Sequence, residues 1–319
     1  MKKSLVLLAT LLLANVSAWA QSTTIKIGAN TFVGYGLLYL AQEKGYFKQQ
    51  DLTVDLVSTE DKPSTAAAVV RGDLDGWVST VDTFIFYNAE KLGLKQVLDI
   101  SQSYGAEGIL ATKDITDVAQ LKGRKIGVEE GSPAYFLLLN ALKDAGLKPS
   151  DISVVNMKGS DAGAAFIAGQ IDVAATWDPW LAQASKRAGG HVLYSTKQKP
   201  GLIADTLALC TDFIAQHPQA VTGFINAYFA AYQFWHSHPQ ESEAIIAKTS
   251  GIPLEDVKSG LTLLKFGSPE INKAYFLQDD GIDSVINNGS AIYQQAGAIA
   301  KPATADKLVD RSALRTVLK

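Results

Sequence analysis

Thr24-Ile25-Lys26-Ile27-Gly28 and Arg124-Lys125-Ile126-Gly127-Val128 begin the same succession of elements at two places in the chain. After the first, the helix-like run 37–44 is closed by Gly45, and 52–57 reads as a second strand. A third strand, Gly72-Asp73-Leu74-Asp75-Gly76-Trp77-Val78, follows an intervening helix. After the second, 135–143 is a helix stopped by Gly146, 152–155 is a strand, and Gly169-Gln170-Ile171-Asp172-Val173-Ala174-Ala175 is another. Ile27 and Gly72 stand 45 positions apart, Ile126 and Gly169 43, so each half is a β-α-β-α-β unit of similar size. Strands alternating with helices call for parallel sheets covered on both faces, and two such units call for two α/β lobes. Any α/β protein repeats this unit, because it is the compact right-handed solution. The shared Lys-Ile-Gly opening and the Gly-x-Ile/Leu-Asp third strand tie these two halves more closely than that.

The apolar extended runs 108–112 and 205–210 flank the second unit and are expected to be the crossovers between lobes. Lobe one is then 21–111 plus 211–319, and lobe two is 112–205. Beyond Pro218 the chain reads as helical: 221–235 carries an apolar stripe rich in Phe and Tyr, Pro239 opens a helix through Lys248, and Pro253 opens another. With no strand-rich run, this tail is expected to pack helices on lobe one.

The chain has 319 residues, 47% hydrophobic and 19% charged, with a formal net charge of −3. That composition excludes disorder, collagen-like repeats and a disulfide scaffold. It carries no basic block, which argues against nucleic acid or anionic lipid as a partner. Residues 1–20 read as a secretory signal. Lys2 and Lys3 are its positive start, 5–16 is almost wholly apolar, and Ala18-Trp19-Ala20 is an A-x-A cleavage site. The apolar run is shorter than the ~20 residues of a membrane span. An exported chain beginning near Gln21 is expected, with no membrane anchor. Cys210 is the only cysteine, so no internal disulfide can form, and the run Leu207-Ala208-Leu209-Cys210 favours a small buried filler over a nucleophile.

Open α/β sheets bind ligands beyond the carboxyl ends of their strands. That rule selects 30–36, 79–83, 129–135 and 176–180, which line one cleft if the lobes face each other. Among them they hold Phe32 and Tyr35, Asp82, Glu129 and Glu130, Ser132 and Tyr135, and Trp177, Asp178 and Trp180, with no Lys, Arg or His. Tyr104 and Glu107 precede the first crossover and Asp205 opens the second. Carboxylates in a dry cleft are costly unless a cation or a donor meets them, and aromatic faces attract cations by ~0.5–2 kcal/mol each. A small cationic or zwitterionic ligand fits this inventory better than a bare anion. The alternative for Asp82 and Asp178 is helix capping, and Asp178-Pro179 has the form of an N-cap followed by Pro at the first helical position.

Other chemistry finds no motif. There is no phosphate loop, and Gly34-Tyr35-Gly36 lacks the last glycine of a dinucleotide fingerprint. No G-x-S-x-G elbow occurs. His236 and His238, two apart, would point to different faces of a helix, and His191 and His217 have no evident partner and read as solvated loop residues. A binder, not an enzyme, is expected, with no catalytic residue, metal or cofactor.

The chain resembles the periplasmic substrate-binding proteins of the nitrate/sulfonate/taurine group of ABC importers, including the THI5-like proteins. The matching stretches are Ile27-Gly28, Ala-Gln-Glu-Lys-Gly-Tyr-Phe at 41–47, Gly72-Asp73-Leu74-Asp75, Leu-Lys-Gly-Arg-Lys-Ile-Gly-Val at 121–128, Ala168-Gly169-Gln170-Ile171-Asp172, Ala175-Thr176-Trp177-Asp178-Pro179-Trp180, and Asp212-Phe213 with His217-Pro218. The resemblance implies a two-lobed type II periplasmic-binding-protein fold with mostly parallel sheets. It implies a monomeric receptor that closes by hinge motion on one small solute and hands it to a membrane permease. Asp205 looks like the position where taurine-binding members hold the ligand amine. The expected ligand-binding residues are Tyr35, Asp82, Glu129, Ser132, Trp177, Asp178 and Asp205. Their acidity points to an amine, a guanidinium compound or an aminosulfonate such as taurine. The alternatives are an alkanesulfonate or nitrate receptor, an enzyme of the pyrimidine-precursor synthase or desulfinase type on the same fold, and a sensory receptor.

Overall fold

In the computed structural model, which describes residues 22–88, 90–278 and 281–319, the two repeated patterns build two separate sheets. The expected signal segment 1–20 lies outside the described residues. The chain runs β1 (Thr23–Ala29), α1 (Gly36–Glu43), β2 (Leu52–Ser58), α2 (Lys62–Arg71), β3 (Gly76–Thr80), α3 (Val81–Phe86) and β4 (Leu94–Ser103). The second sheet takes β5 (Glu107–Thr112), β6 (Lys125–Val128), α4 (Pro133–Asp144), β7 (Ser153–Asn156), α5 (Gly159–Ile167), β8 (Val173–Trp177), α6 (Trp180–Ala184) and β9 (Gly190–Ser195). The chain then returns through β10 (Ala204–Cys210), α7 (Thr211–Gln216), α8 (Pro218–Ser237), α9 (Pro239–Ser250), α10 (Leu254–Leu261) and β11 (Leu264–Phe266). It ends with α11 (Pro269–Leu277), α12 (Ile282–Gln295), α13 (Ala305–Leu308) and α14 (Ser312–Val317).

Strand order is β11-β4-β10-β3-β1-β2 in the first sheet and β7-β6-β8-β5-β9 in the second. The repeated unit is parallel in both: Ile25 pairs with Val54 and Ile27 with Leu56, as Ile126 pairs with Val154. The sheets as a whole are mixed, which corrects the expectation of mostly parallel ones. β10 runs antiparallel between β3 and β4, β11 antiparallel beside β4, and β5 antiparallel between β8 and β9. A strand that arrives from the other sheet enters from the opposite end, so it must pair antiparallel.

The runs 108–112 and 205–210 are therefore interior strands, not crossovers. The chain changes sheet at 104–106 and at 196–203. Both faces of these strands are covered and their backbones are paired on both edges, which accounts for their apolar side chains. The two links touch: the Ser103 and Thr196 hydroxyls lie 2.7 Å apart, and Gly105 N–H donates to Thr196 Oγ1 at 2.7 Å. The C-terminal helices pack as expected, α8 and α9 against α1, with β11 as an unforeseen edge strand. His191 lies on β9 and not in a loop. No described helix is long and apolar enough to cross a membrane.

Candidate functional site

A narrow cavity lies where the two sheets meet. From the first come Asn30, Phe32 and Tyr35 after β1, Lys62 at the start of α2, Ser79 and Thr80 ending β3, and Asp205 on β10. From the second come Glu107 on β5, Pro133 opening α4, and Trp177 ending β8. Its volume is about 10 Å³, room for roughly one water molecule. The lobes are thus shut, and an organic solute can enter only when they part.

Three buried carboxylates dominate the electrostatics. Asp205 accepts from Tyr35 Oη at 3.0 Å and from Ser101 Oγ at 3.1 Å. Burial nevertheless pushes it up to about 7, helped by the charge of Asp82 and opposed by those hydroxyls. Glu107 accepts from Thr196 Oγ1 at 3.3 Å and is pushed up to about 8, first by burial and then by Asp205. Asp82, in the first turn of α3, accepts from Tyr293 Oη at 3.3 Å and is raised to about 6 by burial. Behind Asp205, buried Asp99 is raised to about 7 by desolvation, and its Oδ1 has no partner among the described residues. Acids this close in a dry site resist ionising together.

Of the seven residues expected to bind ligand, Tyr35, Trp177 and Asp205 line the cavity. Asp82 stands next to it and is felt by both Asp205 and Glu107. The other three are engaged with backbone. Ser132 Oγ accepts from Tyr135 N–H at 3.2 Å and caps α4. Asp178 Oδ1 accepts from Ala182 N–H at 2.9 Å at the head of α6. Glu129 Oε2 accepts from Gly159 N–H at 3.4 Å at the start of α5, while its Oε1 is buried without a partner. Gly159 is a forced choice, since a Cβ there would stand 2.4 Å from the Trp177 ring. Cys210 is half-buried at the end of β10, its thiol pushed up to about 11 by burial. The described residues contain no cluster of three or more potential metal ligands.

The sequence reading missed Lys62. It follows β2, a strand whose carboxyl end was not selected, and Asp61 caps the helix it begins by accepting from Ser64 N–H at 2.8 Å. Lys62 is 5% exposed, and its ammonium lies 4.9 Å from the centre of the Trp177 ring. That contact crosses from one lobe to the other. So does an aromatic seam in which Tyr293 of α12 stacks on Tyr135 of α4 at 6.3 Å and meets Phe136 at 5.4 Å, with Phe86 edge-on to Tyr135. Thr83 Oγ1 donates across to Gly131 C=O at 3.1 Å.

The family model described as NMT1/THI5 like matches residues 34–242. The chain belongs to this family, the nitrate/sulfonate/taurine group of binding proteins. It is 26% identical to the taurine-binding periplasmic protein of Escherichia coli over 254 residues, 77% of this chain and 78% of that one. The fold matches that of the periplasmic aliphatic sulphonate binding protein SsuA from Escherichia coli with a TM-score of 0.74 and 23% identity, covering 90% and 92% of the two chains. It is thus a type II periplasmic-binding-protein fold. The desulfurization enzyme DSZB shares it at a TM-score of 0.66 and 16% identity, covering 93% of this chain and 99% of that one. Fold alone therefore does not decide between binder and enzyme.

Proposed function

We propose that the protein is the periplasmic solute receptor of an ABC importer, and that its solute is a small nitrogen-containing compound, cationic or zwitterionic. The observation that carries the reading is the ring of buried acids, Asp205 and Glu107 on the cavity wall with Asp82 beside them, where one ammonium, Lys62, is the sole cation of the wall among the described residues. A cationic nitrogen entering the cleft supplies the charge that lets these acids ionise, so capture and closure reinforce each other. Transport and periplasmic location rest on family membership and on the 26% identity to a taurine-binding periplasmic protein. A binding role fits the site better than catalysis. Cys210 is the sole cysteine of the sequence, lies outside the cavity wall and is held as a thiol, and among the described residues no His lines that wall.

The test is a thermal-shift panel of guanidine, ethylamine, taurine, ethanesulfonate, nitrate and urea. A ligand at 100 times its Kd adds about 2.7 kcal/mol, well within reach of such an assay. Stabilisation by the amine-bearing compounds supports the reading. Stabilisation by nitrate or ethanesulfonate alone would make the acids structural and the protein a receptor for simple anions.

A further inference from the structure

Glu129 follows β6 of the second lobe and lies outside the wall of the solute cavity. It lines instead a gap of about 430 Å³ at the seam between the lobes. The charged or titratable groups that share this gap are Asp61 before α2 and Tyr87 after α3 from the first lobe, and Glu130 and Lys158, before α5, from the second. Glu129 is 5% exposed, yet its carboxylate is poorly matched. Oε2 has only the long 3.4 Å bond from Gly159 N–H, and Oε1 has no partner among the described residues. No cation of those residues lies within 4 Å of it. The charge and the N–H of Lys62, on the facing lobe, act on it without offsetting its burial, which holds the carboxyl above its usual range. A carboxylate taken out of water costs free energy unless close partners replace that water, and here they replace only part of it.

We infer that Glu129 is a spring between the lobes: ionised, it opposes their closure, so that the empty protein is held open until a solute draws it shut. When the lobes part, α2 and its lysine withdraw and the carboxylate meets water again. The closed form therefore holds the Glu129 proton more readily than the open form does, and closure becomes easier as pH falls. Because Glu129 does not line the solute cavity, this force acts whatever the solute is.

Small-angle X-ray scattering of the solute-free exported chain at pH 7.5, fitted to open and closed populations, tests this. Glu129→Gln, equal in shape, should raise the closed-to-open ratio at least fivefold. Glu129→Asp keeps the charge and should stay as open as the wild type, and Glu130→Gln, at an exposed neighbour, should change nothing. Between pH 7.5 and pH 5.5 the wild type should gain closed form and Glu129→Gln should gain less, the remainder coming from the cavity acids. An unchanged ratio in Glu129→Gln overturns the spring, and so does a lower one, which would make Glu129 a latch that draws the lobes together. Closure of Glu129→Asp to the same degree as Glu129→Gln also overturns it, since shape and not charge would then be the cause. The measurement needs no solute, so its result stands apart from whether any amine binds.

Discussion

Asp205 receives two hydroxyl donors and is still held near neutrality, so its charge depends on what else is in the cleft. Asp205→Asn removes that charge while keeping the shape, and should weaken binding of an amine at least tenfold, about 1.4 kcal/mol, with the melting temperature of the free protein unchanged or raised. Calorimetric titration checks it. The same carboxyl fixes a pH dependence. Its neutral form gains as pH falls through about 7, so amine affinity should fall from pH 8 to pH 6 in the wild type and stay flatter in Asp205→Asn. At this scale the sequence was partly legible. The aromatic and acidic inventory at strand ends pointed to Tyr35 and Trp177, and the family resemblance to Asp205; all three line the cavity. The inventory could not separate Asp178, Ser132 and Glu129, whose side chains accept from helix-start N–H groups, from residues that line the cavity. An Asp before Pro serves either use, and only the direction of the side chain decides. Lys62 escaped because it follows the second strand of its unit, while the ligand loops the sequence pointed to follow the first and third.

Among the elements, the loop between β6 and α4 controls how closely the lobes approach. Gly131 sits there at φ +76°, and a Cβ would stand 2.4 Å from the Phe86 ring of the facing lobe. Gly131→Val should hold the cleft ajar and cost at least tenfold in affinity. The left-handed backbone adds a penalty of ~1–2 kcal/mol to folding. Titration together with thermal melting of the free protein separates the two effects: a cleft held ajar costs affinity, and a melting temperature that falls with affinity unchanged would assign the effect to backbone strain instead. The β-α-β-α-β units themselves were readable because their signals are local: alternation along β1, the apolar run of α4, glycines where helices stop. Strand direction was not. Whether 108–112 and 205–210 link the lobes or lie inside sheets depends on which end of a sheet the chain enters, and apolar residues serve both. β11 was too short, at three residues, to leave a pattern.

For the molecule as a whole, the buried acids make stability depend on pH in a direction opposite to that of most carboxylates. Asp82, Asp99, Asp205 and Glu107 hold protons up to about 6, 7, 7 and 8, whereas unfolded carboxyls release theirs near pH 4. The folded chain therefore binds more protons between these limits. The stability these groups contribute is fully present below about pH 4 and is lost as pH rises through 6 to 8. Melting of the ligand-free protein should fall from pH 5 to pH 8.5, and a saturating amine should flatten that fall; a melting temperature that rises over this range would show that these acids ionise freely. The contact between the two links has a different consequence. The chain leaves the first sheet beyond Ser103 and re-enters at Ala204, and there the Ser103 and Thr196 hydroxyls lie 2.7 Å apart while Ser103 N–H donates to Ile203 C=O at 2.9 Å. The whole second lobe hangs from a single doorway. It can be treated as a cassette: a short turn would rejoin the strands of the lobe left behind, and a fluorescent reporter spliced into the doorway would register each parting of the lobes as a change in its own light.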